Sequence, residues 1–188
     1  MRLFTGLDLP DDVVAKLAEL MRRLQPAARI QWSPPGNLHV TTKFIGEWPA
    51  ERLGELKEAL ARLPARGAIG VRIRRVGFFP NAHAPRNFWC GIEAPGLAGL
   101  AADIDLAAAA LGIAREKRAF SPHLTLARIK MAQSRERVEL HSLHQAIAAL
   151  PSLEFGAFSA DSFFLYQSTL RPAGSVYTKL AEFPLTKP

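Results

Sequence analysis

The amino-acid sequence predicts an α+β fold in which two pseudo-symmetric lobes, with antiparallel sheets flanked by helices, enclose a central cleft. Three observations lead to this prediction. Landmarks in the first half of the chain recur in the second half. Segments of aromatic and β-branched residues alternate with segments of helical spacing. A length of 188 residues suits a single domain.

The recurrence has a spacing of 84 to 86 residues along the chain. Its main landmarks run in parallel: F-T-G-L-D-L-P at 4–10 recurs as W-C-G-I-E-A-P at 89–95, and N-L-H-V-T at 37–41 recurs as S-P-H-L-T at 121–125. Because both the order and the spacing are kept, we interpret the chain as two copies of one unit, approximately residues 1–84 and 85–188, within one domain.

Each copy is expected to run strand, helix, strand, helix, strand. The strand segments are rich in aromatic and β-branched residues, and several alternate between apolar and polar positions. The predicted strands are Leu3–Leu7, His39–Ile45 and Ile69–Phe79 in the first copy, and Phe88–Ile92, His123–Ile129 and Phe155–Gln167 in the second.

The helical segments have apolar residues at helical spacing and end at residues that favour helix termini. Two acids follow Pro10 at the start of the first helix, and the second helix stops before Pro64. The third ends at Gly112, and the fourth begins at Ser134. The predicted helices are Asp11–Gln25, Glu51–Leu63, Leu97–Leu111 and Ser134–Leu150.

Charge and cysteine content narrow the class of protein. The chain has 24 lysines and arginines against 17 acids, a net charge of +7, which favours a polyanionic partner such as RNA. Charge alone does not exclude a basic surface without function. The single cysteine, Cys90, excludes an internal disulfide and a cysteine-based metal cluster, and its apolar neighbours predict a buried side chain.

Targeting signals are not evident in the sequence. No stretch approaches the ~20 apolar residues of a membrane helix, and Asp8 and Pro10 interrupt the short apolar start of the chain. We therefore expect a cytoplasmic protein without a membrane partner.

The chemistry is concentrated in two H-x-T segments, His39-Val40-Thr41 and His123-Leu124-Thr125, one in each copy. Residues i and i+2 of a strand share a face, so each histidine has a threonine hydroxyl beside it. If the lobes face each other, two imidazoles can exchange protons with a phosphodiester while the hydroxyls of Thr41 and Thr125 bind its phosphate oxygens. Such a reaction needs neither a metal nor another cofactor.

One H-x-T segment is common by chance and carries little information. Two segments at matching positions of an internal repeat, in a basic chain, favour a catalytic pair.

These motifs and their surroundings resemble the 2H phosphoesterases, in particular the RNA 2′,3′-cyclic phosphodiesterases formerly called 2′-5′ RNA ligases. The resemblance runs along nearly the whole chain, through R-L-F-T-G-L-D-L-P, W-S-P-P-G-N-L-H-V-T-T-K-F-I-G, F-F-P-N, K-R-A-F-S-P-H-L-T-L-A-R and L-Y-Q-S-T-L-R-P-A-G-S-V-Y. Val40 and Thr42 depart from it, since the family often carries leucine at these positions.

The resemblance implies an enzyme that hydrolyses a terminal 2′,3′-cyclic phosphate of RNA to a 2′-phosphomonoester. It assigns His39 as the proton donor and His123 as the proton acceptor. RNA ends, with tRNA fragments among the candidates, are the implied substrates. The internal repeat supplies both halves of the site in one chain, so a monomer suffices.

Further substrate contacts are less well defined. Lys43 is expected on the face of Thr41, where it would contact phosphate or solvent. Arg128 lies five residues after His123, so in a regular strand its side chain points to the opposite face. A bulge or the strand end could bring it back to the face of His123. The family resemblance at L-T-L-A-R favours a substrate role for it. Ser168 and Arg171 are candidates for the cleft rim or for a turn before the final strand.

Other polar and aromatic residues are expected to be structural. The spacing of His141 and His144 is compatible with two metal ligands, but no third ligand is evident and a solvated helix face is favoured. Three aromatic residues are of a type that stacks on bases, but core packing is expected for each: Phe44, Phe120 and Tyr166. One predicted strand carries a cluster of three arginines: Arg72, Arg74 and Arg75. The cluster either contacts an RNA backbone or protects an exposed sheet edge from aggregation, and we favour the sheet edge.

Two other classes of function remain open. A 2′-5′ RNA ligase or a small cyclic-nucleotide phosphodiesterase would use the same histidines, although the sequence has no adenylating-lysine or P-loop pattern. A non-catalytic RNA-binding module is disfavoured because both motifs are intact.

Overall fold

The computed structural model describes residues 1–129, 134–172 and 174–186. Within these ranges the chain forms nine β-strands and four α-helices. The strands are β1 (Arg2–Leu7), β2 (Gln31–Trp32), β3 (Val40–Glu47), β4 (Ile69–Phe79), β5 (Asn87–Glu93), β6 (His123–Arg128), β7 (Glu154–Ala160), β8 (Ser162–Arg171) and β9 (Gly174–Pro184). The helices are α1 (Asp11–Leu24), α2 (Leu53–Ala61), α3 (Leu97–Ala110) and α4 (Ser134–Ala148).

The strands form two antiparallel sheets. The four-stranded sheet has the order β3-β1-β8-β9, and the five-stranded sheet has the order β2-β6-β5-β4-β7. Together with the four helices, they confirm the predicted α+β fold class.

One strand prediction is wrong. The segment Phe155–Gln167 is not a single strand, because the chain leaves the five-stranded sheet at Ala160 and enters the four-stranded sheet at Ser162. The sheets consequently mix the two copies: β4 joins β5 and β6, while β8 and β9 join β1 and β3.

Helices pack against both sheets. The ends of α1 carry two acids and two arginines that complement the helix dipole, and its buried stripe includes Val13 and Leu17. This helix packs on β7, where a Cβ on Gly156 would lie 3.2 Å from Cγ2 of Val13. Helix α3 packs on β3. Cys90 lies in the core, 0% exposed as predicted, and burial raises the pKa of its thiol.

A β-bulge follows the threonine of each H-x-T segment. In the first copy Gly6 pairs with Thr41 and Thr5 with Lys43, so Thr42 has no partner on β1. In the second copy Trp89 pairs with Thr125 and Phe88 with Ala127, which leaves Leu126 without a partner on β5. The two bulges are 84 residues apart. Each of them reverses the side-chain alternation of its strand.

The bulge in β3 overturns the expectation that Lys43 shares the face of Thr41. Lys43 is 7% exposed, and its ammonium lies 2.7 Å from Asp105 on α3 and donates to the carbonyl of Ala114 at 3.0 Å. Asp105 also accepts from Arg115 at 2.8 Å. Burial raises the pKa of this carboxyl, but hydrogen bonds from Lys43, Arg115 and a backbone N–H together lower it to about 2. The pair ties β3 to the segment that leads to His123.

The favoured interpretation of the arginine cluster is also wrong. Strand β4 lies between β5 and β7 and is not a sheet edge. Arg74 and Arg75 both reach Glu93, at 3.5 and 2.7 Å, whereas Arg72 is exposed. The cluster therefore belongs to an interior strand of the five-stranded sheet.

The two histidines of α4 differ. His141 is exposed as expected, but the ring of His144 is half-buried and packs edge-on against Phe78 at 4.9 Å, so it does not lie on a solvated face. In the part of the chain that the structure describes, no three histidines, cysteines or acids are placed to hold a metal ion. No helix of this part is long and apolar enough to cross a membrane.

Candidate active site

His39 is held immediately before β3 by its own backbone. Its Nδ1 lies 2.7 Å from the carbonyl oxygen of Asn37, and its Nε2 lies 3.0 Å from the hydroxyl of Thr41. A carbonyl can only accept, so Nδ1 carries the hydrogen and donates it. The amide of Asn37 donates to the carbonyl of Ser175 in the β8–β9 hairpin at 2.7 Å, which anchors the segment before the histidine. Nε2 is therefore the nitrogen available for chemistry.

Aromatic side chains surround the His39 ring. Phe4 lies 4.6 Å from it, Tyr177 meets it edge-on at 5.1 Å, and Tyr166 lies 6.1 Å away. Burial by these neighbours lowers the pKa of His39, although the Asn37 carbonyl and Asp8 partly oppose the effect. Tyr166 is 5% exposed, so it is buried as predicted, although its ring packs beside His39 on the site face.

His123 repeats this arrangement at the start of β6. Its Nδ1 lies 2.8 Å from the carbonyl of Ser121, two residues upstream as in the first motif. Phe79 meets the ring edge-on at 5.0 Å and stacks on Trp89 at 5.0 Å. Strands β3 and β6 contact each other, so the two motifs lie on neighbouring strands of the two sheets. His123 and Arg128 contribute to the lowered pKa of His39.

Glycine stands beside each motif on the neighbouring strand. Gly6 pairs with Thr41, and a Cβ there would lie 2.7 Å from the carbonyl oxygen of Val40. Gly91 pairs with His123, and a Cβ there would lie 2.8 Å from the carbonyl oxygen of Arg74. The close backbone approach requires glycine at both positions. It also leaves the threonine and histidine uncovered by a neighbouring side chain.

The bulges bring one further residue of each copy to the site face. After the bulge in β6, Ala127 is buried and Arg128 turns outward to the face of His123 and Thr125. The corresponding residue of the first copy is Phe44, which is 64% exposed, and the prediction that it packs in the core is wrong. Its ring lies 6.2 Å from that of Phe4. The repeat could have predicted the exposure of Phe44, because an offset of 84 residues aligns Phe44 with Arg128.

Comparison with known proteins identifies the fold family. The family model described as LigT like phosphoesterase matches residues 7–89 and 92–177. The chain belongs to the LigT-like phosphoesterase family. The resemblance to the 2H phosphoesterases is thereby confirmed.

Relatives of this LigT-like phosphoesterase share most of its length. The RNA 2′,3′-cyclic phosphodiesterase of Thermus thermophilus is 35% identical over 195 residues, covering 98% of this chain and 90% of the relative. That of Methanocaldococcus jannaschii is 31% identical over 183 residues, covering 97% and 100%. The crystal structure of E. coli LigT complexed with 3′-AMP superposes with a TM-score of 0.77 at 25% identity and covers 99% of this chain and 98% of LigT.

The remaining predicted site residues are placed differently in this LigT-like phosphoesterase. Ser168 is half-buried and pairs with Tyr177, on the face of the four-stranded sheet that carries Tyr166. Arg171 is exposed at the end of β8 and faces the other way, because the register between the two residues is regular. Phe120 is half-buried against the core, as predicted.

Proposed function

We propose that this phosphoesterase hydrolyses the 2′,3′-cyclic phosphate at the end of an RNA strand to a 2′-phosphomonoester. The observation that carries the proposal is the matched pair of imidazoles, each with Nδ1 tied to a carbonyl two residues upstream. The names of the relatives support an RNA cyclic phosphate as the substrate. The complex of E. coli LigT with 3′-AMP supports a nucleotide ligand.

Because each Nδ1 is tied to a carbonyl, proton transfer is left to Nε2, with His39 as the donor and His123 as the acceptor, as the family resemblance implies. Nε2 of His123 accepts a proton from water, whose oxygen forms a bond to phosphorus. The bond from phosphorus to O3′ breaks on the opposite side, and Nε2 of His39 gives its proton to O3′. The product is a 2′-phosphate with a free 3′-hydroxyl. One histidine ends protonated and the other neutral, and exchange with solvent restores both.

The remaining groups bind the phosphate and the base. Thr41 and Thr125 donate hydrogen bonds to the non-bridging oxygens, and Arg128 contributes the planar donor pair that suits a phosphate. Phe44 offers an exposed ring beside Phe4, on which the terminal base stacks. Such stacking contributes about 1–3 kcal/mol per base.

The pH dependence of kcat/KM should reflect the lowered pKa of His39. The donor must be protonated, so its contribution is lost as pH rises through a pKa below the usual ~6.5. The acceptor must be neutral, so activity is also lost at low pH. We therefore expect a bell-shaped profile of kcat/KM whose alkaline limb falls at a lower pH than an unperturbed histidine would give. The two apparent pKa values of the profile belong to the coupled pair of histidines. A flat profile between about pH 5 and 8, with chemistry rate-limiting, would contradict the mechanism.

The reaction itself is tested with an oligonucleotide that ends in a 2′,3′-cyclic phosphate, in the presence of EDTA, with phosphorus NMR of the product. A 2′-monophosphate is expected. A 3′-monophosphate would overturn the assignment of O3′ as the leaving group, and loss of turnover in EDTA would indicate a metallohydrolase. RNA that binds without turnover would favour the binding module. A joined product with an added 5′-hydroxyl strand would favour the ligase.

A further inference from the structure

Two arginines share the face of His123 on the five-stranded sheet. His123 on β6 pairs with Gly91 on β5, and Gly91 pairs with Arg74 on β4. Directly paired residues of antiparallel strands lie on the same face, and Arg72, two positions earlier in regular register, lies on it as well. Two interstrand spacings separate the Cα atoms of His123 and Arg74 by about 10 Å.

The charges on this face are not balanced. Arg74 and Arg75 share one carboxylate, Glu93, at 3.5 and 2.7 Å. Arg72 is exposed and makes no ion pair with any residue that the structure describes. Nε of Arg74 is buried and has no hydrogen-bond partner in the same part of the chain. Glu154, which pairs with Arg74 on β7, adds a second carboxylate, so three arginines face two acids. The face therefore keeps a small positive excess and an unused donor, both suited to a phosphate.

Both sheets carry aromatic rings on this face, Phe79 and Trp89 on the five-stranded sheet, but the four-stranded sheet offers less free positive charge. It presents aromatic rings, among them Phe4, Tyr166 and Tyr177, and its Lys179 is already paired with Asp8. Gly91 itself adds no side chain between His123 and Arg74, although the ring of Trp89 comes within 3.5 Å of where a Cβ on Gly91 would lie. A chain of phosphates that leaves the catalytic histidines across this sheet therefore reaches the positive charge of Arg74 and Arg72.

We infer that Arg72 and Arg74, the upstream arginines, bind the internucleotide phosphates that precede the cyclic end. They make the enzyme specific for RNA strands over cyclic mononucleotides. The inference rests on the proposed function, which places the cyclic phosphate between His39 and His123.

The test compares the double variant Arg72→Gln/Arg74→Gln with the natural protein on two substrates, 2′,3′-cyclic AMP and a short oligonucleotide with a cyclic end. We expect kcat/KM of the variant for the oligonucleotide to fall about tenfold, mainly through a higher KM. Its activity on 2′,3′-cyclic AMP should be unchanged. Retained cyclic AMP turnover also shows that the variant is folded. The slope of log KM against log salt should become shallower by roughly 0.7 for each phosphate contact removed.

The matched control is Arg62→Gln, which removes an exposed arginine paired with Glu58 on α2. An equal loss in this control, equal losses on both substrates, or no loss for the oligonucleotide would each overturn the inference. Failure of the natural protein to hydrolyse either substrate would overturn the proposed function instead. Fluorescence anisotropy with an uncyclised oligonucleotide would then decide the inference: weaker binding by the double variant supports it, and equal binding overturns it.

Discussion

Alanine at His123 or at His39 is expected to lower kcat for a cyclic RNA end by about 10²–10⁴-fold, because the proposed mechanism gives each imidazole one proton transfer. The fold should survive both substitutions. His123 contacts mainly Phe79 and its own upstream carbonyl, and His39 packs on Phe4 and Tyr177 at a partly open site. Single-turnover rates and thermal unfolding of both variants check this result.

The two roles can be separated with a substrate whose bridging O3′ is replaced by sulfur, since a thiolate leaves without a proton. His39→Ala should recover much of its activity on this substrate, whereas His123→Ala should not. His141→Ala, at an exposed position on α4, is the matched control and should behave as the natural protein. Recovery in the His123 variant instead would mean that donor and acceptor are exchanged. Near-normal turnover in either variant would exclude two-histidine catalysis.

Asparagine at Asp105 is expected to lower the free energy of unfolding by about 3–5 kcal/mol, since it leaves a buried ammonium without its counter-charge. The amide oxygen of asparagine can still accept a hydrogen bond, as can the carbonyl of Ala114, but neither supplies the negative charge that balances Lys43. Lys43→Met should cost less, because Asp105 would still accept from Arg115 and from the backbone N–H of Glu116. Urea unfolding followed by circular dichroism measures both changes.

The double variant Lys43→Met/Asp105→Asn closes a thermodynamic cycle. It should be more stable than Asp105→Asn alone, because no unpaired charge is left in the core. Simple addition of the two single losses would show that the ion pair has no coupling energy. Surface pairs such as Arg52–Glu55 are a suitable reference, since exposed pairs contribute about 0–1 kcal/mol.

The repeat was the most informative feature of the sequence. It predicted the α+β class, and the alternation within each H-x-T segment placed Val40 and Leu124 in the core, where both are 0% exposed. The parity argument failed two residues past Thr41, at Lys43, because it assumes a regular strand. A bulge depends on how β3 meets β1, a pairing that no local pattern records.

The non-local pairings explain the other differences. Asp161 is the only residue between β7 and β8, so composition did not reveal that the chain changes sheets there. The arginines of β4 suggested a sheet edge, because charged side chains on an edge strand prevent pairing with other chains. In the structure β7, which follows β4 by more than seventy residues, pairs with that side of β4. Burial of His144 against Phe78 likewise depends on the docking of α4, which helical spacing does not specify.

The exchange of strands between the copies makes the two halves of the chain obligate partners. A half-chain that ended near residue 84 would hold β1 without β8 beside it and β4 without β5 or β7. Its open backbone donors and acceptors would invite association with other chains. Recombination could therefore not transfer one H-x-T segment and its copy as an independent folding unit. A deletion that removed β8 and β9 would disturb the sheet that carries His39 and also leave β7 without its continuation.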